Sequence, residues 1–150
     1  MWYRWADYAQ TVTSGRREKL IMKMQPVNAP NAPQSLSRHY SQAMEVIGAS
    51  RLLFISGQIP ADADGNVPDD FESQARLCWN NLSAQLDAAG MTFANVVKVT
   101  VFLKRYEDRD VNAKVRFEVF GEHRPALSTV ITNVYDPAWL LEIEAIAVAG

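Results

Sequence analysis

DDFESQARLCWNNLSAQLDAAG, residues 69–90, sets an apolar side chain at Phe71, Ala75, Cys78, Leu82, Leu86 and Ala89. Steps of three or four draw one stripe along a helix. Asp69 can cap its first amides with Glu72 reaching back, and Gly90 ends it in the C′ position. Upstream, two β-type runs, residues 43–49 and 51–56, meet at Gly48-Ala-Ser50, which predicts a hairpin. Downstream, residues 95–104 alternate Val97, Val99, Val101 and Leu103 with Lys98, Thr100 and Lys104, the pattern of a half-buried strand. Asp110 can cap a second helix over 111–120 that Gly121 stops. Strands over 126–134 and 141–148 flank the Tyr135-Asp-Pro137 turn. The order is β-β-α-β-α-β-β. A long helix between two strands suits a right-handed crossover that returns to the same sheet. The reading is an α+β domain, a mixed β-sheet with two helices packed on one face.

Composition narrows the function. The chain has 150 residues, 48% of them hydrophobic, enough for one domain with a buried core. Fifteen Lys and Arg against 17 Asp and Glu leave a net charge of −2, which argues against nucleic acid as the partner. No apolar run approaches the ~20 residues of a membrane span, so no membrane partner is expected. Cys78 is the single cysteine, so neither an intrachain disulfide nor a cysteine zinc site can form. It lies in the helical stripe and reads as a small core residue. His39 and His123 are too few and too far apart to suggest a metal site, and they read as surface residues. Trp79 and Trp139 read as packing residues, with an exposed subunit contact the alternative for Trp139 beside Pro137. No Gly-rich phosphate loop occurs, so no nucleotide cofactor is expected. A reduced, cytoplasmic compartment fits best.

Residues 1–23 stand apart. Arg4, Arg16, Arg17, Lys19 and Lys23 outweigh Asp7 and Glu18, and no apolar region of a secretory signal is present. They read as an N-terminal extension whose order the sequence leaves open, with the domain spanning 24–150. Pro26, Pro30 and Pro33 make the start of that domain extended or polyproline-like.

The last strand carries the suspicious chemistry. Leu141, Ile143, Ala145 and Ala147 face one way; Glu142, Glu144, Ile146 and Val148 face the other. Either that face turns to solvent at its glutamate end, or one glutamate is a general base held on a rigid strand. The alternation does not choose between Glu142 and Glu144. Ser56-Gly57-Gln58, at the end of an earlier strand, offers a hydroxyl beside a glycine that permits close backbone approach.

Several segments together resemble the RidA family, also called YjgF or endoribonuclease L-PSP. They are Asn28-Ala-Pro30, Tyr40-Ser-Gln-Ala43, Ile55-Ser-Gly-Gln-Ile-Pro60, Gln74 with Asn80-Asn81-Leu82, and Ala89-Gly90. Val96 to Leu103, Val111-Asn112, Arg124-Pro-Ala126 and Glu142 to Ala147 complete the set in family order. The resemblance implies a chorismate-mutase-like fold and a homotrimer with small-molecule clefts between subunits. It implies a hydrolase, a deaminase of reactive enamines and imines that releases ammonia and uses no metal or organic cofactor. On this resemblance Tyr40 lines the cleft, Ser56 and Gly57 contact ligand, Asn112 lies nearby and Glu142 positions or activates water.

One departure bears on the substrate. Deaminating members follow the Pro-Ala pair with an arginine that clamps the substrate carboxylate. Here the segment reads Pro125-Ala-Leu-Ser-Thr129, so the resemblance places Leu127 at the clamp and Thr129 two positions beyond. Leucine supplies no donor, whereas an arginine–carboxylate pair is worth about 1.5–3 kcal/mol. Arg38, beside His39 and before Tyr40, could bring a positive charge to the cleft mouth. Two readings follow. The chain is a RidA-type hydrolase with weak or absent 2-iminopropanoate activity, or it is a small-molecule-binding or regulatory trimer without turnover.

Overall fold

The structure, a computed structural model, describes residues 21–33 and 39–150. The expected extension lies largely outside them, and so does Arg38. The strands are β1 (Lys23–Val27), β2 (Ala43–Ile47), β3 (Arg51–Gln58), β4 (Val96–Leu103), β5 (Ala126–Ile131) and β6 (Leu141–Ala149). Helix α1 (Phe71–Ala88) joins β3 to β4, and α2 (Arg109–Phe120) joins β4 to β5.

Four strands form a mixed sheet in the order β3-β6-β4-β5. β6 is antiparallel to both neighbours, while β4 and β5 run parallel. Each helix is thus a crossover between strands of one sheet, as the helix lengths required. The stripe of α1 packs as read: Phe71, Ala75, Cys78, Leu82 and Leu86 are buried, and Val115 and Phe120 of α2 join the same cluster. Trp79 fills its centre, edge-on to Phe120 at 5.3 Å and to Phe93 at 6.1 Å. Leu141, Ile143, Ala145 and Ala147 supply the sheet's covered face. The opposite face is open: Leu52 is 61% and Phe54 72% exposed.

The hairpin expected from residues 43–56 does not form. Gly48 adopts a left-handed φ of 71° and turns the chain, but β2 pairs with β1 in a separate two-stranded sheet and β3 pairs with β6. A tight turn fixes where the chain bends, not which strand becomes the partner. The run Leu52–Ile55 meets a full antiparallel mate in β6, from Arg51↔Ala149 to Ile55↔Ala145. β1 contains Pro26, which a two-stranded edge tolerates; the proline-rich reading had made this stretch extended but not a strand.

The caps also shift. Asp70, not Asp69, caps α1, accepting the Ser73 amide at 2.9 Å. Glu72 turns outward to Arg76, at 2.6 Å, instead of reaching back. α2 begins at Arg109, so Asp110 lies inside its first turn; Asp108, at the cap position, holds Arg105 at 2.7 Å. β5 stops at Ile131, opposite the end of β4 at Leu103, rather than reaching residue 134. Val148 is only 3% exposed although it pairs with Leu52 on the open face. Neither histidine is a bare surface residue. His39 lies against Phe117 at 4.6 Å, and His123 Nε2 sits 2.6 Å from the Val96 carbonyl.

Candidate functional site

The two glutamates of β6 have different surroundings. β3 shifts register between Ile55 and Gln58, and Gly57 sits in that irregularity. The Glu142 side chain rests on it: a Cβ built at Gly57 would stand 2.6 Å from Glu142 Cδ and 2.9 Å from Cγ, with Oε1 nearer still. Only glycine leaves room for the carboxylate there. Glu142 is half-buried and has no hydrogen-bond or ion-pair partner among the described residues. Glu144 is exposed and lies with Ser56, Phe54, Lys98 and Thr100 along a groove of about 460 Å³ on the open face. Lys98 Nζ donates to Ser128 Oγ at 2.7 Å, and burial lowers its pKa against the opposing pull of Glu144. Cys78 is fully buried beneath; burial first, and the charge of Glu142 second, push its thiol pKa up and keep it protonated.

Gln74 secures the entry to β6. Its Nε2 donates to the carbonyls of Pro68 at 2.7 Å and Ala138 at 3.0 Å, and its Oε1 accepts the Leu140 amide at 2.8 Å. The side chain is buried, so α1 fixes the strand two residues before Glu142.

A second cluster forms at the β5 edge. Ser41 is buried and donates its hydroxyl to the Arg124 carbonyl at 2.7 Å and its amide to the Pro125 carbonyl at 3.1 Å. These bonds pin the adjacent Tyr40 beside the start of β5. Along α2, Arg109, Asn112, Ala113 and Arg116 follow helical spacing and share one face. With Tyr40, Tyr106, Leu127, Thr129 and Ile131 they line a groove of about 350 Å³. Asn112 is 1% exposed and Arg116 6% exposed, yet Asn112 Oδ1 and Arg116 Nε have no hydrogen-bond partner among the described residues. Burial lowers the Arg116 pKa while Tyr40 opposes that shift, and a guanidinium stays charged at ordinary pH. Arg109, by contrast, is engaged: it lies 4.2 Å over the Tyr106 ring and 3.4 Å from Asp110. Sequence reasoning missed Arg109, Tyr106 and above all Arg116. The signal for Arg116 was present: it stands four residues after Asn112 and next to Val115, inside the buried stripe of α2.

A single chain does not gather the expected residues in one place. Glu142, Phe102 and Val130 are paired across β6, β4 and β5, so their side chains share the open face. Leu127 pairs with Val99 and Thr129 with Val101, which puts both on the helix-covered face. Tyr40, Asn112, Leu127 and Thr129 therefore meet in the edge groove, Gly57 meets Glu142, and Ser56 lines the open-face groove. β3 and β5 are three strand spacings apart, ~14 Å. Among the described residues no three His, Cys, Asp or Glu side chains gather as a metal site, and no helix is long and apolar enough to cross a membrane.

Residues 29–149 match the family model described as Endoribonuclease L-PSP. A RutC family protein of Pyrococcus horikoshii is 41% identical over 119 residues, 78% of this chain and 91% of that protein. TdcF of Escherichia coli, which carries the name of a reactive intermediate deaminase, is 38% identical over 101 residues, 65% of this chain and 78% of its own length. The crystal structure of YyfB from Yersinia pestis, a Rid-family protein of unknown function, superposes with a TM-score of 0.73 at 26% identity, covering 84% of this chain and 98% of that one.

Proposed function

The chain belongs to the endoribonuclease L-PSP family, the RidA family of the sequence resemblance, and from that premise we propose that it hydrolyses a reactive enamine or imine to a carbonyl compound and ammonia. The observation that carries this reading is the Glu142 carboxylate, half-buried, without a partner, and seated on Gly57 where two strands adjoin. A carboxylate in that position can take a proton from water as the water oxygen bonds to the imine carbon. That proton goes to nitrogen to complete the carbinolamine; the carboxylate then takes the hydroxyl proton and passes it to the amine as the C–N bond breaks, so the oxygen becomes the carbonyl and the nitrogen leaves as ammonia. The family name borne by TdcF supports the reaction class.

The cleft is proposed to need a second copy of the chain. The residues expected around one ligand lie on opposite faces of the sheet within a single chain. The exposed Leu52, Phe54 and Val130 give the open face an apolar surface suited to burial against a neighbour. A closed homotrimer supplies that neighbour three times over. Leu127 offers no donor, so 2-iminopropanoate is expected to be a poor substrate. That feature favours the second reading, a ligand-binding trimer without turnover.

The test measures ammonia release from 2-imino acids generated in situ from a range of amino acids by an amino-acid oxidase, with spontaneous hydrolysis as the baseline. The wild type is expected to accelerate at least one of them, and Glu142→Gln to lose about 10²-fold or more of that rate. No acceleration on any imine would refute the hydrolase reading and leave binding alone.

A further inference from the structure

The α2–β5 groove holds a charge that folding alone does not explain. Arg116 is 6% exposed, projects from α2 into the groove, and its Nε finds no acceptor among the described residues. A guanidinium whose Nε is buried without an acceptor has given up hydration there with no hydrogen bond in exchange, which is costly. One helical turn earlier, Asn112 is 1% exposed and its Oδ1 has nothing to accept from among the described residues. The wall opposite, Leu127, Thr129 and Ile131 of β5, contributes aliphatic surface and one hydroxyl. Tyr40 and Tyr106 add aromatic surface. The carboxylate that could have satisfied Arg116 from within the groove, Asp110, is 83% exposed and faces Arg109 instead.

We propose that Arg116 is the anion-binding residue of this groove, taking the carboxylate of an organic acid that also presents an N–H to Asn112 Oδ1. A ligand so built satisfies both orphaned groups at once: a donor receives its acceptor and an acceptor its donor. Leu127 and Ile131 then take the apolar body of the acid. The guanidinium arrives from the helix wall rather than from β5, where Leu127 stands. Such a ligand is an amino or imino acid with an apolar or aromatic side group, and the groove of about 350 Å³ has room for one. The ligand class rests on the hydrolase reading above; the anion site does not require turnover.

The experiment is calorimetric titration of the full-length protein with three ring compounds of similar size. Anthranilate has both carboxylate and N–H, 2-methylbenzoate has only the carboxylate, and 2-aminobenzamide is neutral. Wild type is expected to bind anthranilate most tightly and the amide most weakly. Arg116→Gln should weaken both acids by about tenfold to a hundredfold and leave the amide unchanged. Arg116→Lys should restore part of the affinity, since a point charge replaces a bidentate fork. Asn112→Ala should reduce anthranilate towards 2-methylbenzoate without weakening the latter. Because Arg116→Gln removes a buried unpaired charge, its unliganded melting temperature should equal or exceed that of wild type, which separates lost binding from lost folding. Acids that bind Arg116→Gln as well as wild type, or that bind neither protein, would overturn the proposal. Arg116-dependent binding in a protein that accelerates no imine would uphold the site while the hydrolase reading fails.

Discussion

Gly57→Ala isolates the role of Glu142 without touching it. The new Cβ would stand 2.6 Å from Glu142 Cδ and 2.9 Å from Cγ. Ordinary carbon contacts begin near 3.5 Å and Oε1 stands nearer than either carbon, so the carboxylate must retreat by roughly 1.5 Å or more. The backbone at Gly57 does not require glycine's left-handed freedom, so alanine stiffens the unfolded chain and stabilises by about 0.4–1 kcal/mol. Against this stands an off-rotamer Glu142, costing about 0.5–1.5 kcal/mol. The two nearly cancel, and the melting temperature should move by no more than a few degrees. Activity should respond differently, because a misplacement of ~1 Å in a catalytic group costs about 10²-fold in rate. The assay pairs imine hydrolysis with thermal unfolding on the same preparations. A folded Gly57→Ala protein at full wild-type rate would refute the claim that Glu142 works from its seat on Gly57.

Three further outcomes are expected. Gln74→Ala strands the Leu140 amide and two carbonyls and should lower stability by about 2–4 kcal/mol in urea titration, with the rate falling as the entry to β6 loosens. Hydrogen bonds from the Ser73 side chain and amide hold the Asp70 carboxyl below its ordinary 3.8, so the stability it lends is present above that pH and lost as pH falls through the lower folded value. The difference in urea midpoint between wild type and Asp70→Ala should accordingly be constant at neutral pH and shrink below pH 3.8. Light scattering should find a trimer for wild type and dissociation for Phe54→Asp, which puts a charge on the exposed apolar face; a concentration-independent wild-type monomer would sink the intersubunit cleft.

What could be read from sequence follows the range of the forces involved. The stripe Phe71–Leu86 and the alternation in β4 are local consequences of helical and pleated geometry, and both survive into the structure, except that the irregularity between Val96 and Lys98 puts Val96 rather than Val97 into the core cluster. Strand partnership is not local. The Gly48 turn looked like a hairpin because a turn specifies a bend, while β6, some ninety positions away, was the better mate for β3. The choice between Glu142 and Glu144 was equally beyond a period-two argument, since both occupy the same face. The family resemblance singled out Glu142, and the irregularity in β3 seats that side chain on Gly57. Arg116 was hidden for a related reason: α2 was read from its cap and stop signals, which mark where a helix ends but not which side chains it buries.

The polar groups that lack partners point the same way. Gln74, Ser41 and Asp108 are buried and each is satisfied by bonds of 2.7–3.1 Å. The fold pairs most of the polar groups it buries, with Trp79 Nε1 in the core an exception among the described residues. Among the described residues Asn112 Oδ1, Arg116 Nε and His39 Nδ1, one residue from Tyr40, are buried without partners, and the half-buried Glu142 has none either. An unsatisfied buried group costs about 1–3 kcal/mol, so several together are a large fraction of a domain's net stability. Selection for folding alone would remove them, by a leucine at 116 as readily as the one already at 127. A partner outside the chain, ligand or neighbouring subunit, gives these residues a reason to remain. The orphaned donor and acceptor in the edge groove describe its chemistry: an anion, and a hydrogen to give.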